Sequence, residues 1–121
     1  MNKKKTLVIG ATANPSRYSY LAVQKLTAHK HPVVPFGIKK GIIGNTEIET
    51  ERKPFEQIDT VTLYINPLRQ KDYYDYILSL QPKRIIFNPG TENDELFALA
   101  QQKGIIATEA CTLVLLSTGQ Y

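Results

Sequence analysis

The stretch Leu7-Val8-Ile9-Gly10-Ala11-Thr12-Ala13-Asn14-Pro15-Ser16-Arg17-Tyr18-Ser19 decides the fold of this chain. An apolar run ends at Gly10, small residues come next, and a helical pattern begins near Arg17. This order predicts a strand, a tight turn and a helix N-terminus, which is the unit that holds phosphate in many βα proteins. The N–H groups of the turn and the positive end of the helix dipole both favour an anion. We therefore expect a phosphate-bearing ligand at this turn.

The rest of the 121-residue chain continues the alternation of apolar strands and helical patterns, which is typical of an α/β fold with a mainly parallel sheet. We predict one Rossmann-like, three-layer domain over residues 1–121 with about five strands. The predicted strands are about Thr6–Gly10, Pro32–Phe36, Thr60–Ile65, Arg84–Phe87 and Ile105–Ala107, with a short edge strand at Glu47–Glu49. The predicted helices are about Arg17–Ala28 with Leu21, Ala22 and Leu26 inward, one from about Arg69 to Pro82, one capped by Thr91 or Asn93 and ending at Gly104, and Cys111–Ser117.

The charge balance argues against nucleic acid as a partner. The net charge is +4, but Lys3, Lys4 and Lys5 supply three of the 15 basic residues, and the remaining 12 face 11 acidic ones. We interpret residues 1–5 as a basic, flexible N-terminus. The apolar run after it is too short for a membrane span or a signal peptide. The expected location is therefore cytoplasmic, with no membrane contact.

The chain offers few groups for metal binding or catalysis. Cys111 is the only cysteine, and the two histidines, His29 and His31, flank a predicted helix end. These are too few for a disulfide or a metal cluster. Glu109 lies beside Cys111, whose thiol would be activated at a helix N-terminus, but we expect a buried, inert cysteine. We predict a binding protein rather than an enzyme.

Three predicted strands end in similar turns: Gly10-Ala11-Thr12, Asn66-Pro67 and Asn88-Pro89-Gly90. In an open parallel sheet, ligands bind in the crevice beyond the carboxyl ends of the strands. Small residues and prolines there keep the backbone exposed. The recurrence of these turns predicts a ligand crevice along this edge, while the tyrosines of the following helix, Tyr73 and Tyr76, are expected to pack against the sheet.

The residues after the first two strands narrow the kind of phosphate ligand. A dinucleotide fingerprint reads G-x-G-x-x-G, but here Thr12 and Pro15 replace the second and third glycines. No carboxylate comes directly after the second strand to hold a ribose, which counts against NAD. Lys39 and Lys40 suit an extra ribose phosphate, as in NADP or coenzyme A, and Arg17 suits the same phosphate or the pyrophosphate.

The segment Val8–Arg17 matches the pattern V-I-G-A-[ST]-x-x-P-x-[RK]. This pattern, followed by a helix, resembles that of the small CoA-binding domain proteins, whose fold is also that of the CoA-binding domain of the succinyl-CoA synthetase α subunit. The resemblance implies that coenzyme A or an acyl-CoA binds along the carboxyl edge of the sheet. The implied contacts are Gly10, Ala11, Thr12, Asn14 and Arg17 at the diphosphate and adenosine, Pro35 and Lys39 at the adenine and ribose phosphate, Ile65, Asn66 and Pro67 in the middle wall, and Asn88, Pro89 and Gly90 at the pantetheine arm.

Two alternatives stay open at this stage. The same turn and lysines would serve an NADP-binding, oxidoreductase-like protein. The fold would also serve an interaction subunit that has lost its ligand. Relatives often carry D-x-C where this chain reads Glu109-Ala110-Cys111, so the acyl group is left undefined. A homodimer or a protein partner is likewise left open.

Overall fold

Five parallel strands form the central sheet of this protein, described here by a computed structural model of residues 3–121. In chain order the strands are β1 (Thr6–Ile9), β2 (Val33–Phe36), β3 (Ile42–Ile43), β4 (Thr46–Glu47), β5 (Thr60–Leu63), β6 (Arg84–Phe87) and β7 (Ile106–Glu109). The main sheet has the order β2-β1-β5-β6-β7, and β3 pairs with β4 in a separate antiparallel hairpin. The predicted α/β, Rossmann-like fold is confirmed.

Helices cover both faces of the sheet, which makes the predicted three layers. They are α1 (Tyr18–Ala28), α2 (Pro67–Gln70), α3 (Tyr74–Ser79), α4 (Asp94–Gln102) and α5 (Thr112–Ser117). Alternate residues of a strand point to opposite faces. Leu7 and Ile9 accordingly join a core with α3 and α4, whereas Val8 joins a core with α1 and α5.

The structure differs from the sequence prediction at Leu21 and at Glu47–Glu49. Leu21 does not face the core: the buried residues of α1 are Ser19, Ala22, Val23 and Leu26, and Leu21 is 40% exposed. Glu47–Glu49 is an edge strand only in part: β4 ends at Glu47 and pairs with β3, whereas Glu49 makes a single parallel bridge to Phe36 of β2. Pro35 lies next to the end of β2, as predicted, and an edge strand tolerates it there.

The helix predicted from Arg69 is interrupted. Between α2 and α3 the residues Lys71–Tyr73 form a 3₁₀ turn. Arg52 contacts this turn: its guanidinium donates to the carbonyl and carboxylate of Asp72, both at 2.8 Å, and stacks 4.2 Å from the Tyr73 ring. The tyrosines of this segment pack partly against the core, as predicted.

The chain changes direction across the sheet between β1 and β5. It leaves β1 for β2 on one side and returns to β5 on the other. The two turns after β1 and β5 therefore diverge, one leading to α1 and the other to α2 on the opposite face. Such a switch point opens a crevice at the carboxyl ends of the strands, where α/β proteins bind their ligands.

The N-terminal segment is described from Lys3 onward. The Lys3 ammonium donates to the carbonyl of His29, and the Lys5 ammonium donates to the carbonyl of Glu56. Met1 and Asn2 of the predicted flexible segment lie outside the described residues, and its flexibility stays a prediction. No helix within residues 3–121 is both long and apolar enough to cross a bilayer.

Candidate functional site

A cleft of about 650 Å³ opens at the switch point between β1 and β5. It is bounded by the turns after β1, β2, β5 and β6 and by the first residues of α1. These elements come from four distant parts of the chain and meet only because the parallel strands align their carboxyl ends. The lining residues are Ile9, Gly10, Ala11, Thr12, Ala13, Ser16, Arg17, Tyr18, Ser19, Phe36, Gly37, Ile38, Lys39, Lys40, Tyr64, Ile65, Asn66, Arg69, Tyr73, Pro89, Gly90 and Thr91.

Gly10 forms the floor of this cleft, and no other residue fits there. Its φ of +97° lies in the region that L side chains rarely adopt. A Cβ on Gly10 would lie 2.9 Å from the carbonyl oxygen of Tyr64, which is closer than real Cβ contacts. The turn after β1 and the turn after β5 are therefore in direct backbone contact.

The turns after β1 and β2 are also locked together. The amide N–H groups of Gly10 and Ala11 both donate to the carbonyl of Phe36, at 3.0 and 2.9 Å. A Cβ on Gly37 would lie only 2.2 Å from the carbonyl oxygen of Ala11. The first two amides of the turn are therefore already hydrogen-bonded within the protein. This corrects the expectation that the whole turn presents free N–H groups to an anion.

Several other backbone amides of the cleft lining have no acceptor within residues 3–121. Near the start of α1 they belong to Thr12 and Ala13 in the turn and to Tyr18 and Ser19 in the first helical turn. The same holds for the amides of Ile38, Lys39, Lys40, Ile65 and Asn66. The N-cap residue of α1 is Arg17, whose side chain makes no capping hydrogen bond. The N-terminus of a helix without a cap leaves donors and a positive dipole end for a ligand.

The charge of the cleft is positive. Its lining contains four cationic side chains and no carboxylate: Arg17, Lys39, Lys40 and Arg69. All four are exposed, and the two ion pairs found among residues 3–121, Arg52–Asp72 and Lys53–Glu49, lie elsewhere. The Glu92 carboxylate accepts from the amide of Gly90 beside the lining, but none of the four cations is in an ion pair within residues 3–121. The cleft therefore suits a ligand with several phosphates.

The opposite wall of the cleft contains two helix N-termini capped by asparagine side chains. Asn66 caps α2 by accepting from the amide of Arg69 at 2.9 Å. Asn93 caps α4 by accepting from the amides of Glu95 and Leu96. Hydrogen bonds from side chains to backbone groups therefore hold the turns after β5 and β6.

The cleft brings together most of the predicted site residues. Those that line it are Gly10, Ala11, Thr12, Arg17, Lys39, Ile65, Asn66, Pro89 and Gly90. Those that lie outside the lining are Asn14, Pro35, Pro67 and Asn88. Contact of these residues with a ligand stays a prediction.

The residues outside the lining have structural roles that the sequence did not separate from binding. Asn14 accepts from the amide and hydroxyl of Ser16 and shapes the turn before α1. Pro67 occupies the first turn of α2, and Pro35 is buried in β2. Asn88 is 2% exposed and joins β5 to α5, donating to Thr62 and Leu63 and accepting from Thr112. The Asn88 side-chain amide makes these hydrogen bonds in the interior of the protein. Contrary to the expectation, it does not face the cleft.

Several lining residues were missed by sequence reasoning. Tyr18 and Ser19 belong to the quoted stretch, and their place in the first helical turn was a usable signal. Arg69 comes three residues after Asn66, so it too lies in a first turn at the carboxyl edge. Tyr73 was interpreted as packing only, but it both packs against Phe36 and lines the cleft.

A second groove of about 630 Å³ lies between β2 and the β3–β4 hairpin. It is lined by apolar and neutral residues together with Glu47 and Glu49, and no cation is among its lining residues. Carboxylates without cations repel phosphate. Charge, rather than volume, therefore selects the cleft at the switch point as the candidate site for an anionic ligand.

The groups best suited to acid–base or thiol chemistry lie outside the cleft. His29 and His31 come after the far end of α1. Cys111 is half-buried at the N-cap of α5, not fully buried as expected, and Glu109 ends β7. Tyr64 does line the cleft, but burial, reinforced by Cys111, raises the pKa of its hydroxyl well above its usual range. It therefore stays a neutral phenol. Among residues 3–121 no cluster of three or more metal-ligating side chains is found.

Several proteins of known structure share the fold of this chain. An uncharacterised protein of known crystal structure is 51% identical over 100% of both chains, with a TM-score of 0.97. A hypothetical protein from Pyrococcus horikoshii is 21% identical over 96% of this chain and 83% of that one, with a TM-score of 0.85. A Thermus thermophilus protein is 20% identical over 98% and 91%, also with a TM-score of 0.85. The last two likenesses show the fold alone.

The family comparison covers nearly the whole chain. No curated protein matches it. A family model described as "CoA binding domain" matches residues 4–117, which include every strand and helix of the fold and every residue of the cleft. The chain belongs to this family of CoA-binding domains.

Proposed function

We propose that this chain binds coenzyme A or an acyl-CoA in the cleft between β1 and β5 and acts as a binding or regulatory module rather than as an enzyme. One observation carries the proposal: the uncapped N-terminus of α1 lies in a cleft lined by four cations and no carboxylate. Membership of the family supports the choice of coenzyme A among phosphate ligands. The proposal includes a cytoplasmic setting and leaves a homodimer or a protein partner open.

The diphosphate of the ligand is assigned to the start of α1. The amides of Thr12, Ala13, Tyr18 and Ser19 supply N–H donors without acceptors in the described chain. A diphosphate would satisfy these donors and take the place of the missing cap. Arg17 at the cap position adds a guanidinium, which suits two phosphate oxygens at once.

The two ends of the ligand are assigned by charge. Lys39 and Lys40 come after β2 and suit the ribose phosphate, which is a second anionic group beside the diphosphate. The turn after β6 lines the cleft with Pro89, Gly90 and Thr91, which carry no charge. This neutral wall suits the pantetheine arm, which is the uncharged part of coenzyme A.

The chemistry of the lining supports a binding role. Its polar side chains are hydroxyls, one amide and cations, whereas His29, His31, Cys111 and Glu109 lie elsewhere. General acid–base or nucleophilic catalysis needs a titratable or activated group near the reacting atoms. The proposed role is therefore to hold the nucleotide and present its acyl or thiol end.

Isothermal titration of the purified protein with coenzyme A and acetyl-CoA tests the proposal. We expect saturable binding that weakens with salt, because phosphate contacts are screened. Arg17→Ala is the site variant, and Lys103→Ala is its control, since Lys103 is an exposed cation outside the cleft lining. Absence of binding at millimolar ligand would exclude the proposed function, and native mass spectrometry would identify any molecule that copurifies.

NADP binding is the second candidate, and the lysine pair after β2 is the observation that favours it. A 2′-phosphate and a 3′-phosphate on the adenosine ribose carry the same charge, so Lys39 and Lys40 serve either. Titration with NADPH, monitored by its fluorescence, separates the two ligands. Tighter binding of NADPH than of coenzyme A would reverse our choice. Binding of neither would favour an interaction subunit without a ligand.

A further inference from the structure

Gln70 is a buried amide at the end of α2 with all three of its side-chain hydrogen bonds directed at the turns around the cleft. Its residue is 0% exposed. Its Nε2 donates to the carbonyl of Ile65 at 2.9 Å and to the carbonyl of Thr91 at 2.8 Å. Its Oε1 accepts from the Nδ2 of Asn93 at 2.9 Å. One side chain therefore joins the turn after β5 to the turn after β6.

The two carbonyls depend on this single amide. Within residues 3–121, neither the carbonyl of Ile65 nor that of Thr91 accepts any other hydrogen bond. Ile65 is 3% exposed and Thr91 5% exposed, so water has little access to replace the lost donor. Leaving a buried carbonyl unpaired is unfavourable, so the two turns keep their spacing as long as Gln70 is present.

Gln70 itself is absent from the cleft lining, whereas Ile65 and Thr91 both belong to it. The Gln70 amide therefore holds two lining residues in place without lining the cleft itself.

The phosphate side of the cleft shares none of the Gln70 hydrogen bonds, because the turn after β1 is tied to Phe36 and not to the turn after β6. It meets the turn after β5 through the bond from the Tyr64 amide to the Ile9 carbonyl and the close packing at Gly10. The turn after β6 is therefore held by hydrogen bonds that the turn after β1 does not share.

We propose that Gln70 is a positioning residue that sets the neutral half of the cleft, and with it the affinity for the pantetheine arm, without touching the ligand. The assignment of that arm rests on the proposed function. Removing the Gln70 amide should loosen the turn after β6, while the phosphate half near α1 keeps its geometry.

Hydrogen exchange of the ligand-free protein tests the first part directly. In Gln70→Met, which keeps the length of the side chain but loses its amide, the backbone N–H groups in residues 90–93 should exchange about tenfold faster. Those in residues 12–19 should keep their wild-type rates. Unchanged exchange in residues 90–93, or equal acceleration in both segments, would overturn the positioning role.

Paired titrations test the second part. Coenzyme A carries the pantetheine arm, whereas adenosine 3′,5′-bisphosphate lacks it. Gln70→Met should weaken binding of coenzyme A about tenfold and leave binding of the bisphosphate within about twofold. An equal loss for both ligands, or no loss for either, would overturn the proposal. If the wild-type protein binds neither ligand, the proposed function fails, and the exchange result still decides the role of Gln70 in the turn.

Thr6→Val is the matched control. Thr6 is 0% exposed at the opposite end of β1, and its hydroxyl bonds to the carbonyl of Lys4 and the hydroxyl of Tyr121. Its loss removes buried hydrogen bonds without touching the cleft, so the ratio of the two affinities should stay at the wild-type value. If Gln70→Met does not accumulate as folded protein, Gln70→Asn replaces it, because the shorter amide cannot bridge both carbonyls and the same results are expected.

Discussion

Four helices, α1, α2, α4 and α5, begin at the carboxyl edge of the sheet, and they begin in different ways. The N-cap residue of α5 provides no side-chain cap, but the Oδ1 of Asn88 accepts from the amide of Thr112 at the start of that helix. Asn66 and Asn93 cap α2 and α4 with their side chains. The helix α1 begins at Arg17, which provides no capping oxygen, although α1 is the longest helix in residues 3–121. Asparagine is among the strongest N-cap residues, and its oxygen satisfies amides that an uncapped helix leaves free.

The difference separates the part of the edge that builds the wall from the part that is left to receive a ligand. Around α2 and α4, the side chains of Asn66, Gln70 and Asn93 make hydrogen bonds with backbone amides and carbonyls. Around α1, the amides of Tyr18 and Ser19 have no acceptor in the described chain and lie beside exposed cations. The N-termini of α2 and α4 are therefore part of the wall of the cleft, whereas the N-terminus of α1 keeps backbone amides that a ligand can use.

The largest expected effect comes from adding a side chain at Gly10, where the turns after β1 and β5 meet. Gly10→Val should destabilise the protein by roughly 3–5 kcal/mol and abolish coenzyme A binding, because the side chain meets the Tyr64 carbonyl in an unfavourable backbone region. Chemical denaturation gives the stability, and titration gives the affinity.

Gly104→Val is the control for Gly10→Val. Gly104 also has a positive φ, +75°, but a Cβ at this position would have no atom within 4 Å beyond its chain neighbours, so strain acts there without a clash. We expect a loss of about 1–2 kcal/mol and normal ligand binding. Equal stability losses at the two sites would contradict the close contact between Gly10 and Tyr64.

The next largest expected loss of stability comes from removing the N-cap of α4 or of α2. Asn93→Ala should lower the free energy of unfolding by about 2–3 kcal/mol, because it uncaps α4 and leaves the buried Oε1 of Gln70 without its donor. Asn66→Ala loses only a cap at an exposed position and should lose about 1 kcal/mol. Urea denaturation measures both. A larger loss for Asn66→Ala would contradict the network around Gln70.

Adding a cap to the open side sharpens the contrast. Arg17→Ala and Arg17→Ser both remove the guanidinium and should weaken coenzyme A binding by roughly 1–3 kcal/mol. Only serine supplies a capping oxygen, so Arg17→Ser should be more stable than Arg17→Ala by about 0.5–1 kcal/mol in the absence of ligand. The serine should also bind coenzyme A no better than the alanine, because cap and phosphate compete for the same amides.

Thermal unfolding with and without coenzyme A measures this competition. The ligand-induced rise in Tm should be smallest for Arg17→Ser. Equal stability of the two free variants would mean that the amides at the start of α1 are not available to a cap. A greater affinity of the serine variant would contradict the assignment of the diphosphate to these amides.

The smallest expected effect concerns the C-terminal end of α1, where His31 makes hydrogen bonds with the backbone. His31 donates its amide to the carbonyl of Leu26, and its Nδ1 accepts from the amide of Lys4. Burial, followed by the charges of Lys3 and Lys4, lowers the pKa of His31 below its usual value. The unfolded chain therefore binds a proton more readily, so the stability contribution is complete above about pH 6.5 and is lost as pH falls through the folded-state pKa.

Urea midpoints at pH 8 and pH 5.5 test this prediction. The wild-type midpoint should fall at the lower pH by more than that of His31→Gln, which has no titrating ring. Identical pH dependence of the two proteins would remove His31 as a source of the effect.

The local elements of the fold were largely predictable from the sequence. The Gly10 turn, the run Arg84–Phe87 and a cap at Thr91 or Asn93 were predicted because strand alternation, helical spacing and capping chemistry are properties of neighbouring residues. Errors arose where the outcome depends on tertiary packing. The helix predicted from Arg69 is interrupted by a 3₁₀ turn at Lys71–Tyr73, and Leu21 is exposed because α1 packs through Ala22 and Val23 instead.

The candidate site was predictable in its position but not in its detail. By itself the sequence determined an α/β fold with a phosphate-type turn, since one glycine between a strand and a helix suffices to indicate it. Only the tertiary structure decided that Phe36 takes the amides of Gly10 and Ala11, that Asn88 is consumed in the interior, and that Arg69 faces the cleft. The physical reason is that a hydrogen-bonding group can be assigned to a ligand only after the fold has taken the partners it needs, and those partners come from strands far apart in the chain.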